Sequence, residues 1–107
     1  MAKFMIQASY NVEGAKGVLK GGGAARKKGV AKLLESVGGK LEAFYFAFGE
    51  DDVVFLVDAP DSASVAAAAM TAMAAGGVSS IRTTVLLTPE EIDAAAKMTV
   101  SYVAPGK

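Results

Sequence analysis

The fold is decided by one stretch, Lys40–Val57, which reads KLEAFYFAFGEDDVVFLV. Two apolar runs flank the turn Gly49-Glu50-Asp51-Asp52, and this pattern predicts a β-hairpin with strands at Lys40 to Phe48 and Val53 to Val57. Strict alternation along the first of these strands sends Leu41, Ala43, Tyr45 and Ala47 to one face and Glu42, Phe44, Phe46 and Phe48 to the other. Neither face is suited to water, and the second strand is apolar on both faces.

The rest of the chain adds strands and helices on both sides of this hairpin. Period-2 alternation predicts a first strand up to Tyr10, and β-branched residues predict a last strand over Ser80 to Leu87. Amphipathic spacing predicts a helix over Ala24 to Val37, preceded by a helix-like stretch, Glu13 to Lys20, that glycines interrupt. A further helix is predicted from about Ser62 to Ala75.

The carboxyl-terminal part begins with a strong helix signal. Thr88-Pro89-Glu90-Glu91 supplies an N-cap, a proline at the first helical position and a glutamate at the third. This helix is expected to end near Met98. The tail, Thr99 to Lys107, has room for a brief extended interface segment at Val100 to Val103. The expected organisation is therefore one domain over residues 1–98 and a tail over residues 99–107.

The order of elements is βαββαβ followed by a helix, which predicts an α+β, ferredoxin-like fold with an antiparallel four-stranded sheet. Two helices would cover one face of this sheet and leave the other open. Because the hairpin strands are apolar on both faces, a monomer would expose more apolar surface than soluble monomers usually tolerate. We therefore expect a homodimer or higher homo-oligomer, with an aromatic interface formed by Phe44, Phe46, Phe48 and Phe55.

Composition narrows the function further. The 107 residues include 11 basic and 11 acidic side chains and no His, Cys or Trp. A net charge of zero disfavours a nucleic-acid partner, and the missing residue types exclude thiol nucleophiles, serine–histidine relays and the common zinc and haem sites. No apolar run is long enough for a membrane span, and no signal peptide is recognisable at the start. We expect a cytoplasmic protein without a membrane, metal or cofactor requirement.

Polar residues on the first and last strands, with two tyrosines, are the candidate ligand site. Hydrogen-bonding groups beside apolar walls are typical of small-molecule pockets. The alternative is that these residues lie at a wet interface or sheet edge. The candidate ligand-binding residues are Gln7, Ser9, Tyr10, Tyr45, Arg82 and Thr84. No pair of them has the spacing of an acid–base couple, so no catalytic residue is predicted.

Two glycine-containing segments allow further interpretations. A glycine run before a basic helix suggests an anion site at Gly22, Gly23 and Arg26, although it lacks the P-loop ending, and a solvated helix face is the alternative. The turn that begins at Gly49 carries three carboxylates without the spaced ligands of a calcium loop. Gly49 and Asp52 are expected to have structural roles in this turn, with Asp52 capping or pairing within the fold or across a dimer.

Four segments resemble the GYD-domain family. They are Lys3–Tyr10, Glu13–Gly17, Gly38–Gly49 and Thr83–Glu91. The resemblance covers nearly the whole chain. The resemblance implies a member of the dimeric α/β barrel group within the ferredoxin-like fold and does not supply a function. The family's Gly-x-Tyr-Asp turn corresponds to Gly49-Glu50-Asp51-Asp52, so Asp51 stands where the tyrosine is expected.

The sequence therefore predicts a homo-oligomeric protein that binds a small molecule and has no evident catalytic machinery. Two alternatives stay open. One is a cofactor-free enzyme of the oxygenase or isomerase type, in which Tyr10, Tyr45 or Arg82 would orient an anionic intermediate. The other is a purely structural subunit of a larger assembly. Known enzymes of the barrel group rely on histidine, tryptophan or asparagine, and this chain has one asparagine, Asn11.

Overall fold

The structure is a computed structural model that describes residues 1–107. Its strands are β1 (Ala2–Tyr10), β2 (Lys40–Phe46), β3 (Val53–Ala59) and β4 (Val78–Leu86). Its helices are α1 (Val12–Gly21), α2 (Gly23–Glu35), α3 (Ser62–Ala75) and α4 (Pro89–Ala96). The strands form one antiparallel sheet in the order β2-β3-β1-β4. This arrangement confirms the predicted α+β, ferredoxin-like fold.

The helix boundaries follow the signals in the sequence. Asp61 caps α3 by accepting a hydrogen bond from the Ser64 amide, and α3 spans the predicted residues. The α4 helix starts with a complete capping box between Thr88 and Glu91. The glycine run separates α1 from α2 at Gly22, whose φ of 85° is a left-handed conformation that glycine adopts without steric cost.

Some predicted boundaries are corrected. The β2 strand ends at Phe46 and not Phe48, because the Ala47 amide already donates to the Asp52 carbonyl and begins the turn. The neighbouring β3 continues to Ala59, where it pairs with Ala2 at the start of β1. The α4 helix ends at Ala96, two residues before Met98. Residues 100–103 form no strand.

The hydrophobic core lies between the helices and one face of the sheet, which we call the covered face. Phe4, Ile6 and Ala8 of β1 and the alternate residues Val53, Phe55, Val57 and Ala59 of β3 are buried there. Val30 and Leu34 of α2 and Val65 and Ala68 of α3 pack against them. The other face of the sheet, which we call the open face, has no helix over it in this chain.

A β-bulge corrects the predicted side-chain alternation in β2. The register shifts between Leu41 and Ala43, so Leu41 pairs with Val57 and Phe44 pairs with Phe55. Both Leu41 and Phe44 therefore lie on the covered face, where they pack against the core. Strict alternation would have placed them on opposite faces. They share a face because the extra residue of a bulge inverts the pattern beyond it.

Candidate functional site

The open face brings together residues from all four strands. Tyr45 pairs with Val54, Val54 with Gln7, and Gln7 with Arg82, which makes one row across the sheet. Directly opposed residues in an antiparallel sheet share a face, so these four side chains are neighbours. Three predicted ligand-binding residues, Gln7, Tyr45 and Arg82, thus lie in the same row.

The next row supplies the apolar part of the open face. Ala43 pairs with Leu56, Leu56 with Met5, and Met5 with Thr84. Met5 and Leu56 are only partly buried, and the chain has no element above them. The centre of the open face is therefore apolar, and Thr84 lies at its β4 margin.

A buried carboxylate closes one end of the open face. Asp51, in the turn between β2 and β3, is only 9% exposed. Its Oδ1 accepts a hydrogen bond of 3.1 Å from the Ser9 hydroxyl, and its Oδ2 accepts one from Nη2 of Arg82. The turn thereby joins β1 and β4, the two strands at the other side of the sheet. We call Ser9, Asp51 and Arg82 the polar cluster.

Hydrogen bonds within the polar cluster favour the charged forms of Asp51 and Arg82. The Arg82 guanidinium is the main cause that keeps the pKa of Asp51 below its ordinary value, and the Ser9 hydroxyl adds to it against the effect of burial. The same ion pair raises the pKa of Arg82. The Arg82 side chain remains 54% exposed, so the cation of this pair also faces solvent.

Asp52 positions this cluster through two hydrogen bonds to the backbone of β1. Its amide donates to the Ala8 carbonyl at 2.9 Å, and its carboxylate accepts a 2.8 Å hydrogen bond from the Tyr10 amide. Asp52 therefore ties the turn to the end of β1 within one chain. Gly49, by contrast, is exposed at the tip of the hairpin, and nothing lies within 4 Å of where its Cβ would be.

Tyr10 lies away from the other candidate ligand residues. It packs against the core, on the covered side of the sheet. Its hydroxyl accepts a 3.3 Å hydrogen bond from Nε of Arg26, whose guanidinium carbon lies 5.6 Å from the ring centroid. This distance is within the range of a cation–π contact. Tyr10 and Arg26 thus form a pair of their own between β1 and α2.

Two of the three predicted anion residues, Gly22 and Arg26, line a cleft of about 360 Å³ between α1, α2 and the start of β4. The Gly22 amide donates to the Val18 carbonyl and the Gly22 carbonyl accepts from the Arg26 amide, so both backbone groups serve the helices. At Gly23 an added Cβ would lie 3.0 Å from the Phe46 ring. The structure thus gives Gly22 a helix-junction role and Gly23 a packing role beside Phe46.

The aromatic residues predicted for an interface fall in two places, and part of that prediction is corrected. Phe55 is buried in the core and stacks on Phe44, with centroids 5.6 Å apart. Phe46 meets Phe44 edge to face at 5.4 Å and is partly exposed, while Phe48 is fully exposed. Phe44 and Phe55 lie on the covered face because the bulge and the register of β3 direct them to α2 and not to the open face.

A second charged group lies at the opposite end of the open face. Nζ of Lys3 contacts a Glu42 carboxylate oxygen at 2.5 Å and one of Asp58 at 3.0 Å. Hydrogen bonds to these two carboxylates raise the pKa of Lys3. The apolar centre of the open face is therefore bounded by ionic groups at both ends.

Sequence reasoning missed Asp51 and Lys3. Within the turn it gave structural roles to Gly49 and Asp52 alone, and nothing in the local pattern marks Asp51 as buried. One available signal was the family position, since Asp51 replaces a tyrosine there. The other was Arg82, a lone cation in a strand otherwise rich in threonine and serine, which needed a partner.

The structure contains no group of three or more acidic side chains arranged to hold a metal ion. None of its helices combines the length and apolar character needed to cross a membrane.

Comparison with known proteins identifies the family and the fold. The family model of the GYD domain matches residues 4–96, which confirms the resemblance predicted from the sequence. No curated protein matches the sequence significantly.

Three solved structures share the fold. MtbAldR has 18% identity and a TM-score of 0.55 over 81% of this chain, and the match spans about half, 52%, of MtbAldR itself. FFRP-DM1 has 14% identity and a TM-score of 0.54, covering 81% of this chain and 100% of that one. TTHA0845 from Thermus thermophilus has 13% identity and a TM-score of 0.52, covering 82% of this chain and 95% of that one. At these identities the likeness concerns the fold alone.

Proposed function

The chain belongs to the GYD-domain family. We propose that it is a homo-oligomeric protein that binds a small molecule on the open face of its sheet. The observation that carries the proposal is the composition of that face. An apolar centre around Met5, Val54 and Leu56 adjoins the polar cluster, and no element of the same chain covers either.

Self-association is the simplest way to cover such a face. Two copies that pair through their open faces would bury Met5 and Leu56 against the same residues of the partner, as in an isologous dimer. Because the net charge is zero, two copies meet without net electrostatic repulsion. A dimer of this kind would enclose a space between the two sheets, with a polar cluster contributed by each copy.

The side chains around this space indicate the chemistry of the ligand. The Arg82 side chain is half-exposed and uses Nη2 for Asp51, so its other guanidinium N–H groups can donate to an acceptor of the ligand. Gln7 and Thr84 add neutral hydrogen-bonding groups in the same and the adjacent row. The arrangement suits a compact molecule with an apolar body and a carbonyl or carboxylate group.

Binding is favoured over proton transfer by the state of Asp51. A general base works best with a pKa near the working pH, and the pKa of this carboxyl lies below its ordinary value. An oxygenase-type or isomerase-type reaction would thus need its base from the substrate or another group. The alternative, a purely structural subunit, would bind no small molecule.

Native mass spectrometry of the purified full-length protein tests the proposal. We expect a dimer or larger homo-oligomer that carries a copurified small molecule. Arg82→Ala should reduce the ligand-bound fraction at least tenfold. Arg26→Ala removes the chain's other arginine, which lies on the covered side, and should leave the ligand-bound fraction unchanged. Circular dichroism would verify that both variants fold.

Two results would contradict the proposal. A monomer at tens of micromolar would remove the premise that the open face is covered by a second copy. A homo-oligomer that carries no small molecule from any expression host would favour the structural-subunit alternative.

A further inference from the structure

The chain after β4 projects from the domain. We call residues 87–107, which comprise α4 and the tail, the C-terminal arm. Every residue from Glu90 to Val103 is exposed. The radius of gyration is 16.9 Å, whereas a compact domain of about 100 residues has about 13 Å. The longest dimension is 57 Å against 31 and 24 Å for the other two.

The composition of the C-terminal arm does not suit a solvated segment. Six large apolar side chains in it are more than half exposed: Leu87, Ile92, Met98, Val100, Tyr102 and Val103. A helix of eight residues such as α4 is also too short to be stable in water by itself, even with its capping box. In the single chain the arm therefore leaves these apolar side chains in contact with water.

The end of β2 carries the other dense group of exposed apolar residues. Tyr45, Phe46 and Phe48 fall within four positions and are all exposed, Phe48 completely. Tyr45 lies on the open face and Phe46 lies beside Gly23 of α2, so this group surrounds the β2 edge of the sheet. In the same chain β2 and β4 are the opposite edges of the sheet. An arm that leaves from β4 would have to cross its own open face to reach its own β2, and in the proposed dimer a second copy occupies that face.

We propose that the C-terminal arm packs against a second copy of this chain, on the exposed aromatic residues at the end of its β2. This inference rests on the proposed pairing of open faces. Each copy supplies one arm and one aromatic patch, so a two-fold axis satisfies both contacts and closes the assembly at a dimer. Residues 97–107 span about 36 Å when extended, which exceeds the width of a four-stranded sheet.

Cross-linking in the full-length protein tests this contact directly. Because the chain has no cysteine, Ser101→Cys gives a single site for a benzophenone maleimide. Nitrogen-15-labelled and unlabelled protein would be mixed, equilibrated and irradiated. We expect cross-linked peptides that join a labelled to an unlabelled chain, with the second peptide containing residues 41–48. Ser62→Cys, at the start of α3, is the matched control and should give no such pair.

Cross-links confined to chains of one isotope would mean that the arm folds back on its own domain, and they would overturn the inference. Labelled-to-unlabelled cross-links to any other segment would overturn it as well.

A pair of charge substitutions separates this inference from the proposed function. Val100→Asp with Tyr102→Asp changes side chains that are exposed in the single chain, so the fold should be unaffected. Sedimentation equilibrium should show a dimer dissociation constant at least tenfold higher than that of the wild type. Ser62→Asp with Ala63→Asp adds the same charges in the first turn of α3 and should leave the constant unchanged.

The outcomes distinguish the two proposals. If the wild type dimerises and the arm variant dimerises equally well, the arm contact is wrong and the pairing of open faces stands. If the wild type itself is monomeric, both the proposed function and the arm contact are wrong.

Discussion

The covered face and the open face of this sheet are made by the same strands yet differ in what they require. Along β1, Phe4, Ile6 and Ala8 are buried under helices, whereas Met5, Gln7 and Ser9 alternate with them on the other side. The covered face is satisfied by α2 and α3 of its own chain. The open face combines apolar residues with ionic groups at both ends and has no helix over it.

This difference separates stability from function. On the covered face, removing a fully buried side chain from water contributes about 1.5 to 3 kcal/mol to folding. On the open face, the same kind of side chain contributes little until another surface meets it. We therefore expect substitutions on the covered face to affect unfolding and substitutions on the open face to affect association and ligand binding.

The largest effect is expected from Phe4→Ala. Phe4 is 2% exposed in the core, and deletion of such a ring leaves a cavity and costs about 3 to 5 kcal/mol of unfolding free energy. Urea denaturation monitored by circular dichroism measures this loss. For a domain of this size the loss is a large share of the total stability.

Met5→Ala is the matched control, because Met5 is the next residue and lies on the open face. It should cost much less unfolding free energy under dilute, dissociated conditions. Equal losses at Phe4 and Met5 would mean that the two faces do not differ in the way described.

The sequence predicted the two faces but not which residues lie on each. Helix caps at Asp61 and Thr88 and the glycine break at Gly22 are local signals, so the starts of α3 and α4 and the break between α1 and α2 were predicted correctly. The bulge between Leu41 and Ala43 has no such local signal, and it moved Phe44 to the covered face. Beyond one extra residue, each side chain of the strand lies on the face opposite to the one that alternation predicts.

The candidate site was predictable only in part for a related reason. Gln7, Arg82 and Thr84 follow from strand alternation, and the register then placed them together. Asp51 lies in a turn, where no periodicity applies, and its burial depends on Arg82, which is 31 positions away in the chain. Tyr10 follows the β1 alternation to the covered side, where Arg26 meets it.

A smaller effect is expected from Gly14→Ala, which tests how closely the covered side is packed. A Cβ on Gly14 would lie 1.9 Å from the Gly77 carbonyl oxygen, and the Gly77 carbonyl also accepts the Asn11 amide. Because the obstacle is backbone, α1 must shift, and we expect a loss of about 1 to 3 kcal/mol in unfolding free energy.

Gly17→Ala is the control for helix propensity. Gly17 lies in the same helix, and nothing is within 4 Å of its Cβ position. Alanine there should stabilise by up to about 1 kcal/mol, because alanine is the better helix former. Thermal unfolding compares the stability of the two alanine variants. If both changed stability in the same direction, the close approach of α1 to Gly77 would be wrong.

The smallest effect is expected from Asp51→Asn, and it depends on pH. The pKa of Asp51 is lowered in the folded chain by Arg82 and Ser9, so the ionised form is favoured by folding. Its contribution to stability is therefore fully present above the ordinary value of 3.8 and is lost as the pH falls through the lower folded value. The wild type should exceed the Asn variant in unfolding free energy at neutral pH, and the two should converge in acid.

Urea denaturation at a series of pH values from neutral to below 3.8 measures this convergence. Asp93→Asn, which removes an exposed carboxylate from α4, controls for the general effect of one negative charge. A difference between wild type and Asp51→Asn that stayed constant across the series would mean that the carboxylate's charge does not hold the turn to Arg82. Since the turn closes the polar end of the open face, convergence in acid would also predict weaker ligand retention there, which native mass spectrometry at the same pH values can measure.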